Sequence, residues 1–170
     1  MFEENQSQIA ESPPETALLS RPAILDVLFF ATLAHAKDVA LITNKGGSIS
    51  SVSMADLVKL CKAQTARWPD GKAVTLVVRD PNSADMKVVL EKVYSMTPSA
   101  VNDLIAAANH ERGAHATIVV VSSDDELVHK VAATPGAVGL VDVYAINSSV
   151  DVMKIGGKLP FEPGYPLHGN

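Results

Sequence analysis

Apolar residues in this chain come in two rhythms, short unbroken runs and one-sided stripes, and the alternation of the two predicts the elements. VALIT (39–43), AVTLVV (73–78), ATIVVV (116–121) and AVGLV (137–141) are continuous apolar runs of strand length, the pattern of strands covered on both faces. VDVMKI (150–155) alternates instead, which predicts a strand with one wetter face. Helical stripes lie between and before these runs. From Pro22 to Ala36 the positions Ile24, Val27, Leu28 and Ala31 share one face. Ser53 is the N-cap of a helix from Met54 to about Gln64, with Asp56 completing a weak capping box. Met86, Val89, Leu90 and Val93 mark the next helix, and Thr97-Pro98 opens SAVNDLIAAANH. Ser122 or Ser123 caps DDELVHKVAA, whose first-turn carboxylates suit a helix N-terminus.

Breakers divide the chain. Residues 1–16 are polar, with a Pro13-Pro14 step, and read as a flexible arm; residues 17–159 read as a single α/β domain. Residues 160–170 carry Pro160, Pro163 and Pro166 and read as an extended surface tail. Strands separated by helical patterns predict a three-layer α/β sandwich with a mostly parallel or mixed central sheet. Gly136, just before the AVGLV strand, and Gly139 within it suggest that another backbone or a ligand approaches there.

Composition narrows the function classes. With 170 residues, 47% of them apolar, there is material for one packed core. The net charge is −5 and no Lys/Arg run is longer than two, so no basic footprint calls for nucleic acid. No apolar stretch is long enough for a membrane span. The acidic opening MFEENQSQIAESPPET lacks the form of a secretory leader, which leaves a cytosolic protein or a periplasmic one whose leader has been removed. Cys61 is the single cysteine, expected in the core and unable to form an internal disulfide. The histidines are scattered without a His-x-x-x-His pair, so no metal site and no cofactor are expected. No nucleophile motif or Walker loop is present, and no catalytic residue is assigned.

Candidate chemistry concentrates in RWPDGKAVTLVVRDPNSADMKVVL (67–90). A turn at Pro69-Asp70-Gly71 leads into a buried strand that ends at Arg79. A polar corner follows, and then a helix N-terminus. A guanidinium beside free helix-end N–H groups is an arrangement that holds phosphate or carboxylate. On that ground Arg79 is the candidate charge partner of an anion, with Asp80, Asn82 and Ser83 beside it. Asn44 joins them as a candidate because it ends a strand, where open α/β sheets place ligands. Trp68 is expected to cover the core beside the turn with its indole N–H satisfied.

These segments also carry a resemblance. MADLVKLCKAQTARWPDGKAVTLVVRDPNSADMKVVL, VAATPGAVGLV and VDVMKIGGKLPFEPGYPL, in that order, resemble the type II, phosphate-binding-protein-like family of periplasmic substrate-binding proteins of ABC transporters. That family has a W-x-DG turn before a strand ending in Arg, and a PGAIGYV strand near its C-terminus. The resemblance covers about residues 38–167 and chiefly one lobe of a two-lobed fold. It implies a non-enzymatic module for a small oxyanion such as phosphate, with a transporter, a second-lobe protein or another copy of this chain supplying the opposing wall. Two departures accompany it: residues 1–40 lack the Gly/Ser-rich phosphate loop of the first lobe, and the Ser-Gly-Thr of the classical corner has become Ser83-Ala84 without the threonine hydroxyl. Pro81 removes a further donor. The alternative is a structural or protein-interaction module that kept the fold and lost the ligand, with Arg79 paired to Asp80 or Asp142. A hydrolase is the third reading.

Overall fold

The computed structural model describes residues 37–110 and 117–169. The arm predicted for residues 1–16 and the helix predicted from Pro22 to Ala36 lie outside the described residues, as does the loop at 111–116. The described elements are β1 (Val39–Asn44), β2 (Ser51–Val52), α1 (Met54–Cys61), β3 (Thr75–Arg79), α2 (Lys87–Val89), α3 (Pro98–His110), β4 (Ile118–Val121), α4 (Asp124–Ala133), β5 (Ala137–Asp142) and β6 (Val150–Ile155). The strands form one mixed sheet in the order β2-β6-β1-β5-β3-β4. β3 runs parallel to both β4 and β5, whereas β1 is antiparallel to both β5 and β6. This is the predicted α/β sandwich, and the unbroken apolar runs at 39–43, 73–78 and 137–141 are inner strands, whereas the run at 116–121, expected to be covered on both faces, is the last strand β4 with Val120 exposed.

Alternation along each strand sends side chains to two separate apolar layers. Leu41, Leu76, Val78, Val138, Leu140, Met153 and Ile155 face α1, α2 and α3. Ala40, Ile42, Val77, Ala137, Val141 and Val150 face α4 through Leu127, Val128 and Val131. Full burial of each large aliphatic side chain in these layers contributes about 2 kcal/mol. α4 can come close because β5 carries Gly139 under it: a Cβ there would stand 2.6 Å from Leu127 Cδ2 and 2.9 Å from Val131 Cγ2. Gly136 meets a backbone instead. It sits at φ +81°, and a Cβ would lie 2.4 Å from the Ala73 carbonyl oxygen. Both glycines are thus explained by protein neighbours.

Local rules account for the helix ends. Ser53 Oγ accepts the Asp56 N–H at 3.1 Å and donates to the Asp56 carboxylate at 2.7 Å, and α1 ends at Cys61, where Ala63 takes φ +56°. Ser123 Oγ accepts the Glu126 N–H, while the Ser122 N–H and hydroxyl donate to the Glu126 carboxylate, a reciprocal cap. Trp68 closes the turn before β3, its indole N–H donating to the Gly136 carbonyl at 2.8 Å. Cys61 is fully buried.

Two expectations change. The helix after Ser83 is not a regular α-helix: it opens as a 3-10 turn (Ala84–Met86), has one α turn, and widens to π geometry over Leu90–Tyr94. Its apolar residues Met86, Val89 and Val93 are buried as predicted, so tertiary packing rather than helical regularity holds it. The proline-rich tail does not lie on the surface throughout. Leu167 is fully buried, Tyr165 donates its hydroxyl to the Val39 carbonyl at 2.8 Å, and the Val39 N–H donates to the Leu167 carbonyl. Prolines exclude a helix but leave an extended segment free to bury its alternate side chains.

Candidate functional site

Because β3 and β5 are parallel and β1 runs against them, the C-terminal end of β3 lies beside the end of β5 and the start of β1. Arg79, the last residue of β3, arrives there with only 14% of its side chain exposed. Its Nη1 donates to Asp124 Oδ1 at 2.5 Å, and its Nη2 lies 3.2 Å from Asp85 Oδ2. Asp124 is the first residue of α4, so its carboxylate meets the guanidinium and the positive end of that helix together. Both terminal nitrogens of the guanidinium are thus engaged by carboxylates of the chain itself.

The flanking residues divide their roles. Asp80 Oδ1 accepts from the Asn82 N–H at 2.8 Å and from Asn82 Nδ2 at 3.0 Å, and the Ser83 N–H donates to the Asp80 carbonyl, so Asp80 and Asn82 close the turn on each other. Ser83 precedes the 3-10 turn with extended backbone and caps nothing. Ser83 Oγ and Arg79 Nε are both buried and without a hydrogen-bond partner. Alongside, Lys37 pairs with Asp142 at 2.9 Å, and that carboxylate holds the ammonium above the ordinary lysine range. A cavity of about 220 Å³ opens among Lys37, Arg79, Asp85, Asp124 and Asp142. Two cations against three carboxylates leave its lining at −1, so the electropositive hollow expected from sequence is a nearly neutral, slightly acidic one. The helix-end donors expected there are also fewer, since a single 3-10 turn has little dipole.

Arg79, Asp80, Asn82 and Ser83 are brought together. Asn44 is not among them. It ends β1, and because β1 is antiparallel to β5 it lies at the opposite end of the strands, beside the start of β5. There Asn44 Oδ1 accepts the Gly136 N–H at 3.2 Å, which makes it a latch on the turn that Trp68 also holds. Arg79 pairs with neither Asp80 nor Asp142. Its partners Asp85 and Asp124 were missed, and the only local signal was the acidic run at 124–126, which reads equally well as a helix cap. A larger hollow of about 830 Å³ lies between β2, α1 and the turn at Trp68. Its charged residues already have partners there, Arg67 donating to the Gly71 carbonyl and Asp56 holding Ser53. Among the described residues no group of three or more His, Cys, Asp or Glu stands ready to hold a metal, and no helix is long and apolar enough to cross a membrane.

No protein-family model and no curated protein matches the chain. Solved structures do. An ABC-type phosphate transport receptor from Vibrio cholerae aligns with a TM-score of 0.58 at 16% identity, over 73% of this chain and 48% of its own. PstS from Borrelia burgdorferi aligns with a TM-score of 0.61 at 16% identity, over 79% of this chain and 55% of its own. A human phosphate-binding apolipoprotein aligns with a TM-score of 0.56 at 14% identity, over 79% and 42%. The chain therefore has the fold of one lobe of a type II, phosphate-binding-protein-like substrate-binding protein. It spans about half the length of the structures it matches, and those structures are binding proteins.

Proposed function

We propose that this chain is a non-catalytic, substrate-binding-protein-type module whose corner after β3 is half of a site for a small oxyanion that retains a proton, hydrogen phosphate above all. The observation that carries the reading is the pair of buried, unpartnered donors in that turn, Arg79 Nε and Ser83 Oγ. Buried donors are seldom left unpaired, and a ligand is one way to satisfy them. The fold supports the same reading, one structural neighbour being a phosphate ABC transporter substrate-binding protein with bound phosphate. The charge balance selects the oxyanion. Asp85 and Asp124 repel a fully deprotonated ion such as sulfate, but they can accept the proton of a P–OH group.

A single lobe leaves the other side of the ion in water, so binding is weak until an opposing wall closes over it. That wall is a second-lobe protein, a transporter component or a second copy of this chain, and the setting is an ABC-type uptake system outside the cytoplasm. Asp80, Asn82 and Ser83 shape the turn, and Ser83 alone of the three has a buried side-chain donor without a partner. The reading involves no cofactor and no bond-making step.

Thermal unfolding with millimolar phosphate or sulfate at matched ionic strength tests it. Phosphate should raise the Tm more than sulfate does, Arg79→Ala should abolish both effects, and Asp85→Asn should admit sulfate. No shift with phosphate, or an undiminished one in Arg79→Ala, overturns the reading. One observation favours a second reading: with two carboxylates on it, Arg79 is already a complete internal ion pair. A structural or protein-interaction module would then lose stability in Arg79→Ala while ignoring both anions throughout.

A further inference from the structure

The hollow at the C-terminal end of β3 has two unlike halves. On one side stand the Arg79 guanidinium and the carboxylates of Asp85, Asp124 and Asp142, with the more exposed Lys37 at the rim. On the other side the lining is aliphatic: Val39 from the start of β1, Leu140 from β5, and Met86 and Val88 from the irregular helix after Ser83. Val39, Met86 and Leu140 are buried in the apolar layer behind them, while Val88 is half-buried. The close-packed core therefore fixes this wall in place.

A bare tetrahedral oxyanion makes poor use of such a wall. Each oxygen withdrawn from water needs a donor, or an acceptor if it carries a proton, and an aliphatic side chain is neither. The polar half serves the oxygens turned toward it: Arg79 and the neighbouring Ser83 hydroxyl donate, and Asp85 and Asp124 can accept the proton of a P–OH group. The position turned toward Val39, Val88 and Leu140 suits carbon instead. Size points the same way, since a hollow of about 220 Å³ is several times the ~30 Å³ share of one water and more than a single such ion fills. Charge does too: a lining of net −1 repels a dianion more than a monoanion.

We infer that the ligand of this corner carries a short alkyl group on its phosphorus centre, as an alkylphosphonate monoanion or the alkyl phosphate of the same length. Its P–OH faces Asp85 and Asp124, and its carbon chain lies along Val39, Val88 and Leu140. The inference rests on the reading of Arg79 as the partner of a proton-bearing oxyanion and adds an organic substituent to it.

NMR titration of the full-length protein at neutral pH with inorganic phosphate and with methyl-, ethyl- and propylphosphonate tests it. Each methylene buried on the wall should tighten the Kd about fourfold, so propylphosphonate should bind about fifteenfold more tightly than methylphosphonate, and both more tightly than phosphate. Ethyl phosphate has an oxygen where propylphosphonate has its first methylene: weaker binding assigns the phosphonate, equal binding the shared alkyl chemistry. Val88→Ser, at a half-buried position, should flatten the series. A flat series in the wild type, or phosphate as the tightest ligand, overturns the inference and leaves the oxyanion reading standing, and an undiminished series in Val88→Ser overturns the placement on this wall. Absence of binding by phosphate and phosphonates alike, or binding of both unchanged in Arg79→Ala, overturns the oxyanion reading itself, so the two fail distinguishably.

Discussion

Asn109, near the end of α3, gives the most quantitative prediction. β4 is the last strand of the sheet, and no further strand pairs with it among the described residues. The Asn109 side chain stands in for one: Nδ2 donates to the Ile118 carbonyl at 2.8 Å, while Oδ1 accepts the N–H groups of Thr117 and Ile118 at 2.9 and 3.1 Å. Thr117 and Ile118 are 4% and 1% exposed, so water is poorly placed to replace the amide. Three hydrogen bonds at a net value of about 1 kcal/mol each, less what relaxation at a sheet edge recovers, put the cost of Asn109→Ala at about 2–3 kcal/mol. For a domain of this size that lowers the Tm by roughly 8–12 °C. In urea the midpoint should fall with the slope unchanged, because the exposed surface is the same. Asn109→Asp keeps the acceptor but turns the donor against the Ile118 carbonyl, and should fall between wild type and alanine. A loss below about 0.5 kcal/mol for Asn109→Ala, the range of an ordinary surface substitution, would refute the edge-strand account.

Two further outcomes follow from the titrating groups. Burial pushes the Cys61 thiol up to about 12, and its neighbour Tyr94 is likewise raised by burial. A thiol-specific disulfide reagent at about pH 8 should therefore leave the folded protein unmodified and label it at the rate of unfolding, and rapid labelling of the native state would contradict the buried position. Asp56, Asp70 and Glu126 are held below their ordinary values, chiefly by the Ser53 hydroxyl, by Lys72 and by the Ser122 N–H respectively, Asp70 down to about 2. Folded-state values below the unfolded ones mean stability that is present at neutral pH and lost on acidification. The loss should begin near the ordinary carboxylate range of about 4 and finish near 2. Asp70→Asn should flatten the lower end of a Tm-against-pH curve, and an unchanged curve would argue against that hydrogen-bonded cluster.

Whatever depends on near neighbours in the chain was legible in the sequence. Three of the four unbroken apolar runs became the inner strands β1, β3 and β5, and the Ser53 and Ser123 caps stand where the patterning placed them. These follow from backbone periodicity and from side chains reaching three or four residues along, interactions that need no knowledge of the rest of the fold.

The candidate site followed a different rule. Its residues at 79–83 come together because they are consecutive, but its charge was decided by Asp124, 45 residues further on, and by Asp85 across a turn of unpredicted geometry. Asn44 was carried to the far end of the strands by the antiparallel direction of β1, a property of strand pairing that no stretch of sequence displays. The C-terminal segment shows the same division: its prolines announced extended chain, while Leu167 and Tyr165 became core because the start of β1, at Val39, runs past its pairing with β6 and bonds them. Sequence alone thus determined most of the elements and the layered α/β class, since both rest on local periodicity and order along the chain. Tertiary structure alone decided which charges meet, because Coulomb interactions depend on distances that folding sets.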